Sequence, residues 1–234
     1  MVARLARDAI VLTVAAFAAI LLPRSVGAAV NNLPGPRFSL SALLTVAPDL
    51  PVISRSVLMS EAEGIWRREG VALRWSKAQG HSAPSAALRV LVISRRETVM
   101  TGSDRAWTVG ELVPHGGQRP LAIASIAGAE RVLEASGSRV LLLDKPEFAH
   151  YRLGIVLGRA LAHEIGHYLL ATATHADRGL MRASIDAREF ADPRARTFTL
   201  DEAAGDWVRR RLDAASLDAP LPSAGFTYAP PVER

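Results

Sequence analysis

Leu161-Ala162-His163-Glu164-Ile165-Gly166-His167-Tyr168-Leu169-Leu170 is the stretch around which this 234-residue chain is organised. It holds His-Glu-x-x-His inside an apolar run with helical periodicity. Helical residues four apart share one face, a turn from each other, so the imidazoles of His163 and His167 can grip one metal ion. Glu164 follows the first imidazole, and its carboxylate can reach a water on that metal without filling a coordination position. The ion that suits such a set is zinc. It lowers the pKa of its water, and a neighbouring carboxylate takes the proton. The alternative is a buried helix whose two histidines merely satisfy hydrogen bonds.

Working back from the motif, Asp144-Lys145-Pro146-Glu147 reads as a helix start, with Asp144 as N-cap, Glu147 as its partner and Pro146 in the first turn. The helix is expected to run to about Ala171. Apolar residues fill most of its circumference from Ile155 onward, as in a helix buried against a sheet. Gly154, Gly158 and Gly166 weaken it by about 1 kcal/mol each relative to Ala, and close packing against a sheet would account for them. His150 stands three turns before the motif, too far to share its metal.

Further upstream, Phe38 to Val46 is apolar and fits either a short helix or a strand, stopped by Pro48 and Pro51. Val52 to Leu58 reads as a strand. Ser60 and Glu63 form a capping box for a helix to about Glu69 that buries Ile65 and Trp66 and ends at Gly70. Val71 to Trp75 alternates as a strand, and Gln79 to Ser85 reads as loop. Leu88 to Ser94, Leu121 to Ile126 and Arg139 to Leu143 are further strands. Thr98 to Gln118 is glycine-rich and reads as loop. His81 and His115 are given no role. The β-α-β-β succession points to a sheet with a backing helix.

Composition narrows the class. With 49% hydrophobic residues the chain can build one domain with a real core. Net charge is +5. Arg4, Arg7 and Arg24 against Asp8 place +2 of it in the first 28 residues, leaving +3 elsewhere. Lysine occurs only at 77 and 145. No dense basic run interleaved with aromatics supports nucleic-acid binding. Residues 1–28 resemble an export signal or membrane anchor: Arg4 and Arg7, an apolar run Ala9 to Leu22 too short for a comfortable span, and small residues at Val26-Gly27-Ala28. Either places the rest outside the cytoplasm, secreted or periplasmic, and membrane contact is expected only through this segment. Cysteine is absent, so no disulfide stabilises the domain. Residues 29–37 read as a linker, 38–213 as the domain, and 214–234 as a Pro-rich flexible tail.

A catalytic zinc needs at least one more protein ligand. Past the helix comes Ala171-Thr172-Ala173-Thr174-His175-Ala176-Asp177-Arg178-Gly179-Leu180-Met181. Together with the motif, this stretch resembles the metzincin clan of zinc peptidases. The resemblance covers Leu161 to Met181. It implies His163, His167 and His175 as zinc ligands, Glu164 as general base, and Met181 in a tight turn beneath the metal. The fold it implies is α+β: a twisted mixed sheet with a backing helix and an active-site helix, then a small lobe with the methionine turn and a C-terminal helix. Three departures stand out. Leu170 occupies the position of the usual glycine, and His175 comes two residues later than usual. Ala183 stands where some members carry a tyrosine.

Glu189, in Ser184 to Phe190, is a competing third ligand of the kind gluzincins use. Histidine is the better zinc donor here, and a methionine follows it. Asp177 is a weaker candidate that can instead orient an imidazole. Thr199-Leu200-Asp201-Glu202 reads as a capping box for an amphipathic helix, Ala203 to Leu212. The resulting expectation is zinc-dependent hydrolysis of a peptide or protein substrate. The alternatives are a non-catalytic zinc-binding envelope protein, or a zinc amidase acting on a non-protein amide.

Overall fold

The computed structural model describes residues 36–77, 88–94, 109–113, 120–137 and 145–214. The order is β1 (Phe38–Val46), α1 (Val52–Arg68), β2 (Val71–Lys77), β3 (Leu88–Ile93), β4 (Gly110–Val113), β5 (Leu121–Ser125), α2 (Ile126–Ala135), α3 (Pro146–Leu170), α4 (Ala187–Ala191) and α5 (Glu202–Ala214). This is a mixed α/β architecture around a five-stranded sheet of order β2-β1-β3-β5-β4. The first four strands in that order run parallel, and β4 lies antiparallel to β5 at the edge.

Phe38 to Val46 resolves to a strand. Phe38, Leu40, Ala42 and Leu44 alternate onto a buried face, while the residues between them are partly exposed. That period of two is what a sheet covered on one side requires. Leu88, Val90 and Val92 of β3 repeat the pattern.

Val52 to Leu58 corrects the expectation of a strand: it is the first part of α1. Its β-branched residues suggest extended chain, but Val52 and Ile53 are exposed. Burial falls on Ser54, Leu58, Ala62, Ile65 and Trp66, spaced as one helical stripe. Packing along that stripe overrides the local preference. Ser60 therefore lies inside the helix and caps nothing; the helix begins after Pro51 and gives way at Glu69.

The stripe meets α3. Ser54 Oγ donates to the His150 carbonyl at 2.8 Å, and Trp66 Nε1 donates to the Ala162 carbonyl at 3.2 Å. Both contacts span 96 residues, so the two helices run parallel and in step. Their close approach explains two of the α3 glycines and corrects the expectation that they face a sheet. A Cβ at Gly154 would lie 2.7 Å from the Ser54 carbonyl, and one at Gly158 would lie 2.8 Å from that of Leu58. The glycines sacrifice helix propensity to let two backbones touch.

The second half of α3 is nearly all buried, from Leu153 to Leu169 with only His163 partly exposed. Among the buried residues is Arg159. Its Nε donates to Glu61 Oε1 at 2.8 Å, its Nη1 donates to the Phe190 carbonyl at 2.8 Å, and its guanidinium stacks 4.2 Å from the Phe198 ring centre. One side chain thus ties α1, α3, α4 and the segment before α5 together. Burial lowers its pKa, and the bond to Glu61 opposes that shift.

Other expectations change in detail. Lys145, without a side-chain bond, occupies the N-cap of α3, and Pro146 begins the helix. The segment read as loop from Thr98 to Gln118 contains β4. Helix α2 had no counterpart in the sequence reading. For α5 the capping oxygen is Asp201 Oδ1, which accepts from Ala204 N–H at 2.8 Å, rather than Thr199. The export segment, the Arg139 to Leu143 strand, the tail beyond Ala214, His81, His115 and Asp144 lie outside the described residues. Among the described residues no helix is long and apolar enough to cross a membrane.

Candidate metal centre

His163 and His167 project from α3 on the face away from α1, one turn apart as the helical repeat demands. The helix continues through Leu170 and stops at Ala171, whose φ of 49° and ψ of 42° are left-handed. A glycine is the usual residue there, because a Cβ crowds the following carbonyl. This reversal answers the altered spacing: the helix ends one residue after the position the glycine would hold. Thr174 N–H then donates to Thr172 Oγ1 at 3.0 Å, tightening the turn that returns His175 to the helix.

The returned ring completes a cluster. One nitrogen from each of His163, His167 and His175 lies within 4.8 Å of the others. The ring centres of His175 stand 5.3 Å from His163 and 4.9 Å from His167. No other group of three histidines and carboxylates of this kind occurs among the described residues.

The protonation pattern tests whether a cation fits. His163 Nδ1 is 2.7 Å from the Leu180 carbonyl, and His167 Nδ1 is 2.8 Å from the Thr172 carbonyl. A carbonyl only accepts, so each Nδ1 must carry the proton. In a neutral ring Nε2 then presents a lone pair. The two Nε2 atoms face each other at 3.0 Å. Two lone pairs at that separation repel unless a positive charge sits beside them. A proton is disfavoured: burial pushes His163 down to about 4, with the neighbouring His167 adding to the shift and the Leu180 bond opposing it. Burial also lowers His167 and His175. A zinc ion, binding each nitrogen at about 2.0–2.1 Å, matches what the rings offer. Backbone carbonyls on Nδ1 are the usual orienting partners of such ligands.

The loop behind the cluster is closed by Ala176 N–H donating to the Met181 carbonyl at 2.8 Å. Met181 is buried with its sulfur against α3 at Gly166, where any side chain would collide with it. The third α3 glycine therefore faces Met181. Leu180, next to it, supplies the carbonyl that orients His163.

Glu164 points toward the edge strand. It is 6% exposed. A Cβ at Gly110 of β4 would lie 2.7 Å from Glu164 Oε1, so a side chain there would require the carboxylate to shift. Burial pushes Glu164 up to about 8, and an N–H donated by Leu112 works against the shift. A carboxyl so placed has the proton affinity that general-base chemistry near neutral pH needs.

Glu189 is placed elsewhere, outside the group formed by the three histidines. Its carboxylate accepts from Arg182 Nη1 at 3.1 Å and Nη2 at 2.5 Å, and from Thr197 Oγ1 at 2.6 Å. These bonds hold it below the usual carboxylate range, and it is not in the histidine cluster. Asp177 is exposed, and the contacts that orient His163 and His167 come from the backbone instead. Those two carbonyls, Gly110 and the Leu112 N–H were not found by sequence reasoning. Backbone groups leave no signature in residue type, and Gly110 lay in a stretch read as loop.

No family model matches the sequence, and no curated protein matches it. Among solved structures, the crystal structure of archaemetzincin from Methanopyrus kandleri aligns over 75% of this chain and 94% of that chain, with 14% identity and a TM-score of 0.42. At those values the likeness carries no inference about what this chain does.

Proposed function

We propose that the chain is a zinc-dependent peptidase whose metal is held by His163, His167 and His175. The observation that carries this reading is the facing pair of Nε2 atoms at 3.0 Å, each ring with its Nδ1 on a backbone carbonyl, and His175 brought to the same group by a separate segment. A zinc ion bound there would polarise a substrate carbonyl and acidify a water. Glu164 would take the proton from that water and pass it to the leaving amine. Met181 would act as a methionine-turn residue, supporting the histidines through Gly166.

Edge strand β4 suits an extended polypeptide as substrate. Its ladder to β5 follows from the bond that Ser125 N–H donates to the Val109 carbonyl at 2.8 Å. That bond makes Val109 and Ser125 a hydrogen-bonded pair. By the alternation of an antiparallel ladder, Glu111 and Val113 also bond toward β5, whereas Gly110 and Leu112 turn their backbone groups outward. An edge left unpaired among the described residues is of the kind that recruits strands. A cleft beside His175, lined by Leu170, Thr174, Arg178, Met181, Leu200 and Ala204, offers a place for a side chain. The N-terminal segment supports export to the bacterial envelope or exterior, with the domain spanning residues 38–213.

The test is metal content followed by cleavage of unfolded casein. About one zinc per chain is expected, lost in His175→Ala and kept in Glu189→Ala. Zinc without cleavage of any polypeptide would favour the non-catalytic reading or a non-protein amide. Absence of zinc in the unmodified chain, under adequate supply, would overturn the proposal.

A further inference from the structure

The N-terminal end of α3 carries an exposed aromatic pair far from the histidines. Phe148 and Tyr151 are 42% and 38% exposed, and their rings stack 6.3 Å apart at 18°. They form one wall of a cleft of about 420 Å³. Arg152 lines it from the same helix, and Asp192, Pro193 and Arg194 line it from the segment after α4. A cleft of that volume suits a short stretch of peptide.

Arg152 is held in place but not neutralised. Its Nη2 donates to the Ala191 carbonyl at 2.9 Å, and its guanidinium lies 5.9 Å from the Phe148 ring centre. Its Nε is covered and has no hydrogen-bond partner among the described residues. The acid of the cleft is turned to the backbone: Asp192 Oδ1 accepts from the Arg194 N–H at 3.0 Å. Neither Arg152 nor Arg194 forms an ion pair among the described residues. Arg159, two turns further along α3, has Glu61 to meet its charge. A covered guanidinium N–H without an acceptor costs free energy that a carboxylate would relieve. The guanidinium fork fits two carboxylate oxygens, and the exposed ring faces fit another ring.

We propose that this cleft is a second binding site, for an acidic segment of polypeptide that carries an aromatic residue: a carboxylate engages Arg152 and Arg194, and the aromatic side chain packs on the Phe148–Tyr151 pair. The site is separate from the metal centre. Arg152 and His163 stand eleven residues apart on one face of α3, which is three turns and roughly 16 Å along the axis. Arg159 lies between them, closed over by the Glu189 and Phe190 carbonyls and the Phe198 ring. The proposal does not rest on the peptidase reading. Under that reading the cleft is an exosite, selecting a polypeptide by a feature remote from the bond that is cut.

The experiment titrates full-length, zinc-loaded protein into the fluorescein-labelled peptide Gly-Ser-Asp-Glu-Phe-Asp-Glu-Ser-Gly and reads fluorescence anisotropy. Saturable binding tighter than about 1 mM is expected. Replacing the acids of the peptide by their amides is expected to weaken binding at least about tenfold, and replacing its Phe by Ala about threefold. Arg152→Met is expected to weaken binding at least about tenfold. Because Arg152 also bonds the Ala191 carbonyl, two exposed side chains repeat the test without disturbing the backbone: Arg194→Gln and Phe148→Ala, each expected to weaken binding about threefold or more. Amide shifts in NMR are expected at residues 148–152 and 192–194. No saturable binding, equal binding of the amide peptide, or unchanged affinity in both Arg194→Gln and Phe148→Ala would overturn the site. Shifts at His175 in place of the cleft would assign the peptide to the metal centre and overturn it as well. Zinc content and casein cleavage are read separately, so failure of the cleft leaves the peptidase reading standing.

Discussion

Arg159 and His163 stand one turn apart on the same buried helix, and their surroundings are opposite. Arg159, 1% exposed, has its charge met by Glu61, its donors met by backbone carbonyls and its flat face met by Phe198. The groups of the next turn are buried with much less compensation. His163 and His167 aim lone pairs at each other, and Glu164 holds one N–H. Burying a polar group costs free energy unless its partners are supplied. Where the partners come from the chain, the group serves the fold. Where they are left out, the fold carries a cost that only a ligand can relieve. The difference between adjacent turns separates a structural ion pair from a site.

The largest test of that contrast is Glu164→Gln. It is expected to lower kcat for polypeptide cleavage by about 10²- to 10⁴-fold, the usual range for a general base, while zinc content by metal analysis stays near that of wild type. Unchanged turnover would remove Glu164 from the site and dissolve the distinction.

Next in size is Arg159→Ala, expected to destabilise the fold by about 3–5 kcal/mol in urea titrations, because Glu61 and the backbone carbonyls of Glu189 and Phe190 lose their partner. Its folded fraction should still bind zinc. A loss no larger than that of a surface substitution would show that the Arg159 turn is no better compensated than the next.

The third test uses pH on the metal-free protein. Glu164 has a folded pKa of about 8, above its ordinary value of 4.5. Its contribution to stability is therefore full below about pH 4.5 and is lost as pH rises toward 8. Gln cannot ionise, so the lead in melting temperature of Glu164→Gln over wild type should grow across that window, worth on the order of a few kcal/mol. Saturating zinc should shrink the lead, since a cation favours the ionised form. His163 tilts the other way: with its folded pKa at about 4, below the ordinary 6.5, it costs stability as pH falls from about 6.5 to 4. A lead that does not vary with pH would mean that Glu164 is not desolvated.

The smallest effect is expected at the helix end. Ala171→Gly should stabilise the chain by about 0.5–1 kcal/mol, because glycine adopts the left-handed turn without a Cβ clash. Thermal denaturation that shows no gain would mean the reversal is not strained.

Much of α3 was legible in advance. Its apolar periodicity, its proline start and the spacing of His163 and His167 are local properties of a 3.6-residue repeat. The glycines were visible too, but their neighbours were not: Gly154 and Gly158 touch α1, and Gly166 touches Met181. Val52 to Leu58 misled because its residues favour extended chain, and the stripe that makes it a helix extends to Trp66. Strand β4 was missed because four residues, one of them glycine, form a strand only when β5 pairs with them. Glu189 looked available because a sequence does not reveal that Arg182 and Thr197 claim it.

By itself the sequence determined which side chains can do chemistry and that two of them share a helical face, since the helical repeat sets that relation without reference to the rest of the chain. Tertiary structure alone decided that His175 returns to them through a left-handed Ala171. It also decided that Glu164 lies under an edge strand instead of in solvent. Both depend on contacts between segments distant in the chain, and pattern within one segment carries no information about which distant backbone will meet it.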